Sequence, residues 1–202
     1  MLWFGWFGFN AGSALSSGSL ATSAFVATNV AAAAGMTGWS LLDAFLKGKP
    51  TAVGAITGAV AGLVAITPAC GFVTPLGAII IGFGVTIPCY YALNQRIRLG
   101  LDDSLDAFSV HGVGGIFGAL FTGVLATRAI NAAGNDGLFY GNPSLLWPQF
   151  VAVVVTIIFS ATVTFLLLKI IDLTIGIRSS EPDQQEGLDL VEHGEKGYHE
   201  LV

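Results

Sequence analysis

The stretch PTAVGAITGAVAGLVAITPACGFVTPLGAIIIGFGVTIPCYYALNQ, Pro50 to Gln95, contains no Asp, Glu, Lys or Arg. Met1 to Leu42 is equally free of charge. A helix needs ~20 mostly apolar residues to cross a bilayer, so each run is long enough for two crossings. Beyond these runs, 53% of the 202 residues are hydrophobic and 10% charged. An ordinary soluble domain carries about 25% charged residues, so the composition argues against a soluble globular fold. The sequence predicts an all-α, polytopic membrane helix bundle with six spans: Met1 to about Leu15, Leu20 to Leu42, Ala52 to Thr67, Pro75 to Leu93, Ser104 to Ala126 and Leu145 to Ile171. No base precedes Lys47, so a signal peptide's charged start is missing. Met1-Leu2-Trp3-Phe4 reads as the inside of a helix, as though the chain began partway into a longer protein.

Charge supplies a second test of this layout. Through position 175 the acids and bases cancel, and the formal −5 arises in the tail, where seven Asp/Glu face Arg178 and Lys196. Residues 1–175 are therefore expected to form a transmembrane domain and 176–202 an acidic, solvated tail. If six spans alternate across the membrane, the second, fourth and last connections with their flanks hold Lys47, Lys49, Arg96, Arg98, Lys169, Arg178 and Lys196, while the others hold only Arg128. Basic residues favour the cytoplasmic side, which puts the tail in the cytoplasm and the Arg128 to Trp147 loop outside. A basic patch for nucleic acid is absent. Cys70 and Cys89 are too few and too dispersed for a disulfide framework or a Cys-rich metal site. No cofactor, no metal and no catalytic residue is expected; the chain reads as something other than an enzyme.

The recurrence of Gly54, Gly58 and Gly62, of Gly8 and Gly12, and of Gly114 and Gly118 predicts faces where helix backbones approach closely. One ionisable side chain lies well inside a span: His111, flanked by Ser109, Gly112, Gly114 and Gly115. Such a group marks a pathway or a partner, so His111 is either a pore-lining histidine or a helix-bridging one satisfied by a carbonyl. Asp102 and Asp106 suit a helix N-terminus as caps, and Asp103 is left open. Trp6, Phe9 and Ser13, spaced by three and four, share one helical face. They suit either a small-cation site built on cation–π attraction and a hydroxyl or an aromatic belt at the membrane surface.

In combination, Trp6-Phe-Gly-Phe-Asn-Ala-Gly-Ser13, Ala31-Ala-Ala-Ala-Gly35, Asp102-Asp-Ser-Leu-Asp-Ala-Phe-Ser-Val-His-Gly-Val-Gly-Gly115 and the tail elements Glu186-Gly-Leu-Asp189, His193-Gly-Glu195 and Tyr198 resemble the Amt/Rh ammonium transporters, specifically the bacterial Amt branch. The resemblance runs through essentially the whole chain but covers only the C-terminal half of such a protein. It implies that the six spans resemble helices six to eleven of an eleven-helix fold, the second inverted repeat plus the last helix, in a homotrimer with one pore per subunit. It implies that Trp6 and Ser13 belong to an outer ammonium recruitment site, Phe9 to the phenylalanine gate below it, and His111 to a pair of pore histidines. Asp103 matches the second half's counterpart of a supporting aspartate in the first half. Glu186, Gly187, Leu188, Asp189, His193, Gly194 and Tyr198 resemble a segment that couples subunits and meets PII-type signal proteins.

The expected function is ammonium or ammonia transport across the inner (plasma) membrane: recruitment of the cation at an aromatic site, then passage through an apolar pore beside histidine. Two other readings stand beside it. One is an ammonium-sensing receptor of the same fold, and the other a non-functional piece lacking the first half of the pore.

Overall fold

The computed structural model of the chain describes residues 1–197. Among them every regular element is helical: α1 (Leu2–Asn10), α2 (Ser19–Lys47), α3 (Ala52–Ile66), α4 (Pro75–Gly84), α5 (Thr86–Arg98), α6 (Val113–Leu125), α7 (Leu146–Thr174), α8 (Glu181–Glu186) and α9 (Leu188–His193). Short 3₁₀ turns lie between some of them, and a π-helical turn, Phe108–Gly112, leads into α6. The chain forms two units, Met1–Val154 and a second that begins at Val155.

In the first unit α2 is central. Much of its buried stripe is small, with Ala27, Ala31, Ala32, Gly35 and Gly38 among the residues that face inward. Side chains of that size let neighbouring backbones approach, which in lipid is the main source of helix–helix attraction. A Cβ on Gly62 would run into the Ala31 carbonyl oxygen, one on Gly35 into the Gly58 carbonyl, and one on Gly82 into the Ala31 backbone. The expected Gly54, Gly58, Gly62 face is therefore the α2–α3 seam. Gly114 and Gly118 set α6 against Val64 and Ala65 of α3. Gly8 and Gly12 differ: nothing lies within 4 Å of where their Cβ atoms would be, so that predicted face has no neighbour among the described residues.

The helix boundaries have local causes. Thr51 and Thr74 accept hydrogen bonds from Gly54 N–H (3.0 Å) and Gly77 N–H (3.2 Å), capping α3 and α4, each cap being worth about 1 kcal/mol. α4 and α5 part at Val85, because Pro88 has no N–H for the Gly84 carbonyl and its ring crowds that oxygen. α1 stops at Asn10, short of the expected Leu15. There the Ser13 hydroxyl donates to the Phe9 carbonyl (2.5 Å), taking the acceptor that the helical ladder would use. Asn10 turns inward and donates to Thr28 Oγ1 at 3.0 Å.

Four stretches are long and apolar enough to cross a membrane: Ser19–Lys47, Pro75–Arg98, Phe108–Leu125 and Pro143–Thr174, with the shorter apolar helix Ala52–Ile66 beside them. The chain is a multi-pass membrane protein. All six expected spans carry helix, though α1 has only 9 residues and α3 only 15. The second unit holds most of α7, none of whose residues is buried, followed by α8 and α9. The tail was expected to be solvated throughout; it is exposed, yet α8 forms because Ser180 caps it through Asp183 N–H.

Candidate functional site

The site is built from α1 outward. Trp6 lies one turn before Phe9, and its indole N–H donates to Thr67 Oγ1 at 2.8 Å. The Thr67 hydroxyl in turn donates to the Leu63 carbonyl, also at 2.8 Å. This relay ties the indole to the end of α3, so its N–H is taken and its π face is what it presents. Phe9 stands edge-on to it, ring centroids 6.3 Å apart at 89°. On another side lies His111, centroid 6.3 Å away with the rings at 27°. Two residues more than a hundred positions apart in sequence thus share one aromatic column, and Phe9 and His111 are both exposed on it.

His111 reaches this place through an irregular turn. Residues Phe108–Gly112 are π-helical, and Val113 N–H bonds to the Phe108 carbonyl, five residues back. Turns of this kind often mark functional positions, since the extra residue re-aims side chains. Ser109 and Val110 face the core, and His111 points away from it. Neither imidazole nitrogen has a hydrogen-bond partner among the described residues.

The acids before this turn divide the work differently from the sequence expectation. Asp103 is the cap: its two carboxylate oxygens accept from Ala107 N–H and Phe108 N–H, each at 2.9 Å. These two donors hold its carboxyl below the usual carboxylate range. Asp106, expected as a cap, instead pairs with Arg96 Nη2 at 2.6 Å and sits at φ +53°, in the left-handed region that few non-glycine residues adopt. The chain is thereby turned sharply into the π segment.

Ser13 lies on the 3₁₀ turn after α1 rather than on its helix, and its hydroxyl is held by the Phe9 carbonyl. With Phe9, Asn10, Thr67, Cys70 and Asn131 it lines a cavity of about 260 Å³. A second hollow of about 380 Å³ runs along Leu2, Gly5, Trp6 and Phe9 and is almost wholly apolar. Thr67, Asn10 and Asn131 were not singled out in the sequence; a polar side chain at the end of an apolar run is the signal that would have found the first two.

In the tail, Gly187 (φ +109°) separates α8 from α9, and Gly194 (φ +67°) ends α9. Glu186 closes α8, and Leu188, Asp189 and His193 lie on α9. Asp189 accepts the Gly197 N–H at 2.6 Å, which holds its carboxyl below the ordinary value and folds the segment back on α9. Tyr198 lies outside the described residues. No group of His, Cys, Asp and Glu suited to a metal ion occurs among the described residues.

The model of the Ammonium Transporter Family matches residues 1–198. The ammonium transporter of Bacillus subtilis (strain 168) is 50% identical over 203 residues, which cover 100% of this chain and 50% of that protein. Among solved structures, Saccharomyces cerevisiae Mep2 superposes with a TM-score of 0.85 at 37% identity, over 90% of this chain and 42% of that one. A structure described as "Sensor Amt Protein" does so with a TM-score of 0.83 at 30% identity, over 95% and 46%. The chain spans about half the length of the curated relatives it matches.

Proposed function

The chain belongs to the ammonium transporter family, and from that premise we propose that it forms one wall of a path that carries ammonium or ammonia across the inner membrane. The observation that carries this is the column of Phe9, Trp6 and His111, exposed at Phe9 and His111. An ammonium ion entering hydrocarbon pays heavily for lost hydration. Aromatic faces return part of it, ~0.5–2 kcal/mol for each cation–π contact. In this reading Ser13 and Trp6 recruit the cation, Phe9 gates it, and the proton leaves before the apolar constriction. Ammonia then passes beside His111, whose free nitrogens take the released proton or a hydrogen bond from the substrate. A complementary helical wall covers the exposed column and brings the second histidine.

The same proposal extends to the layout. Six crossings, resembling helices six to eleven of the family fold, put seven of eight Lys and Arg on one side, which places residues 176–202 in the cytoplasm. Asp103 supports the histidine turn. The protein assembles as a homotrimer. Its tail, from Glu186 through Asp189 and His193 to Tyr198, docks a PII-type signal protein. Sensing is the second reading, favoured by the likeness to the sensor Amt structure.

Methylammonium uptake by cells expressing the chain with a complementing N-terminal five-helix segment of a relative tests transport. Uptake that vanishes with His111→Ala supports it; a chain that is inserted and complemented yet moves no substrate supports sensing. For orientation, single cysteines at Gly48 and Asn135 in a Cys-free background should label from opposite faces, and labelling from one face removes the six-span layout. Deletion of 186–198 should release a PII-type partner from membranes while the chain stays inserted, and unchanged retention removes the docking role.

A further inference from the structure

We propose that α5 positions His111: Arg96 and Cys89 grip the π turn at two points and so hold the imidazole in its ring contact with Trp6. About two helical turns separate the two residues, which puts them on one face of α5. Arg96 Nη2 donates to Asp106 Oδ1 at 2.6 Å, on the residue where the chain turns into the segment. The Cys89 thiol donates a weak bond to the Val110 carbonyl at 3.9 Å, on the residue before His111. Asp106 is also the acceptor that starts the segment, taking Val110 N–H on its own carbonyl at 3.0 Å. Its φ of +53° is a conformation that a non-glycine residue keeps only where its surroundings over-determine it. The Arg96 guanidinium supplies that hold.

Both grips are sheltered enough to set a geometry. The Arg96 and Asp106 side chains are only 20% and 26% exposed, so solvent screens their pairing incompletely. Asp103 does not compete for the guanidinium, because its two oxygens are held by Ala107 and Phe108 N–H. Cys89 is fully buried, and α6 closes over it: the Cβ position of Gly114 lies 3.5 Å from its sulfur. His111 has no such anchor of its own. Its side chain is exposed and makes no hydrogen bond among the described residues, so its backbone and the Trp6 ring fix where it points. That backbone is π-helical, with Val113 N–H reaching back five residues to the Phe108 carbonyl, a turn less regular than the helix it leads into. Loss of either grip therefore lets the imidazole swing from the indole, whose centroid is 6.3 Å away. This inference rests on the reading of His111 as part of the path, and it adds that the pose of the ring is set from α5.

The test uses the full chain complemented by the N-terminal five-helix segment of a relative, with methylammonium uptake measured over a range of concentrations and hydrogen exchange read on peptides spanning 103–112 and 58–66. Arg96→Gln should lower the maximal rate about ten-fold, less than the roughly hundred-fold that a misplacement of about 1 Å can cost. Half-saturation should stay at the parent value, because the recruiting rings on α1 are untouched. Arg96→Lys should recover most of the rate, since the bond to Asp106 runs through one nitrogen and a point charge can make it. Cys89→Ala should lower the rate in the same way, and Cys89→Ser, which keeps a donor, should lower it less. In Arg96→Gln the 103–112 peptide should exchange faster while 58–66 matches the parent. A parental maximal rate in Arg96→Gln overturns the proposal. So does faster exchange in both peptides, which makes the pair a general support of the bundle, and so does a loss of rate matched by an equal rise in half-saturation. A parent that carries no methylammonium fails the transport reading instead. The exchange arm then decides the grip alone: faster exchange confined to 103–112 supports it, and parental exchange in both peptides overturns it.

Discussion

At the α2–α3–α4 seam the backbones are so close that a methyl group on Gly62 or Gly82 has no room beside Ala31. Elsewhere in the same unit, Phe9 and His111 stand exposed on either side of the half-buried Trp6, their ring centroids each 6.3 Å from the indole. The first region is held by dispersion between small residues and tolerates almost no change in volume. The second is held by few bonds: the Trp6 to Thr67 relay, the Asp103 cap and the Asp106–Arg96 pair. Rigidity is concentrated in the seam, and the polar and aromatic groups able to meet a cation are carried on its flank. A rigid frame under an open face allows ring geometry to be fixed without filling the path those rings would line.

The comparison breaks most visibly at the seam. Gly62→Leu drives a side chain into the Ala31 carbonyl. Ordinary overpacking costs about 1–3 kcal/mol, and here the obstacle is backbone, which does not change rotamer. The expected outcome is loss of monodisperse protein in detergent, read by size-exclusion chromatography, whereas His111→Ala should elute as the parent does. A Gly62→Leu chain that purifies and melts normally would mean that the α2–α3 contact is not what holds the unit together.

Much of this seam was legible in the sequence, because glycine every fourth residue in an apolar run has one efficient use in lipid. The charge-free runs likewise foretold helices at the first four expected places. The flank was read less completely. Hydropathy treats Ser104 to Ala126 as one continuous span, and a π turn has no composition of its own, so the irregularity at Phe108–Gly112 stayed hidden. That Asp103 caps while Asp106 pairs with Arg96 depends on the positive φ at Asp106 and on where α5 ends, neither of which is written in local spacing. Buried Asp43 lies just beyond the expected span Leu20 to Leu42. The helix runs on to Lys47, and the acid is matched by Lys47 and by the Thr51 hydroxyl at 2.7 Å. The nearness of Trp6 and His111 is tertiary information that no window on the chain contains.

Within the open face, His111→Ala should remove complemented methylammonium uptake to background while leaving membrane insertion intact, measured by uptake beside a surface-labelling control. Undiminished uptake would mean that the exposed imidazole is packing rather than path. A smaller effect is expected one ring away. Trp6→Leu removes one cation–π surface, worth ~0.5–2 kcal/mol, so half-saturation for methylammonium should rise from about two-fold to roughly thirty-fold. Thr67→Val, which frees the indole N–H without removing the ring, should cost less than Trp6→Leu. If the two variants are equal, the position of the indole matters more than its π face.

The smallest effect expected is local and sharpens the contrast in rigidity. The Asp103 carboxyl is held below its usual range by the Phe108 and Ala107 N–H groups. A carboxyl depressed in the folded state adds stability that is complete above its unfolded value, about 3.9, and is lost as pH falls through the folded value. Acid should therefore loosen the turn that carries His111 while the glycine seam, which has no titratable group in its contacts at Ala31, Gly62 and Gly82, stays closed. Hydrogen exchange read by mass spectrometry on peptides spanning 103–112 and 58–66 checks this. After correction for intrinsic rates, protection in the first should drop below pH about 4, and protection in the second should not. Asp103→Asn keeps an oxygen acceptor but no charge to titrate, so its 103–112 peptide should start less protected and show no acid step. An acid step that survives Asp103→Asn would place the titrating group elsewhere, and a matching step in 58–66 would mean that the two regions open as one.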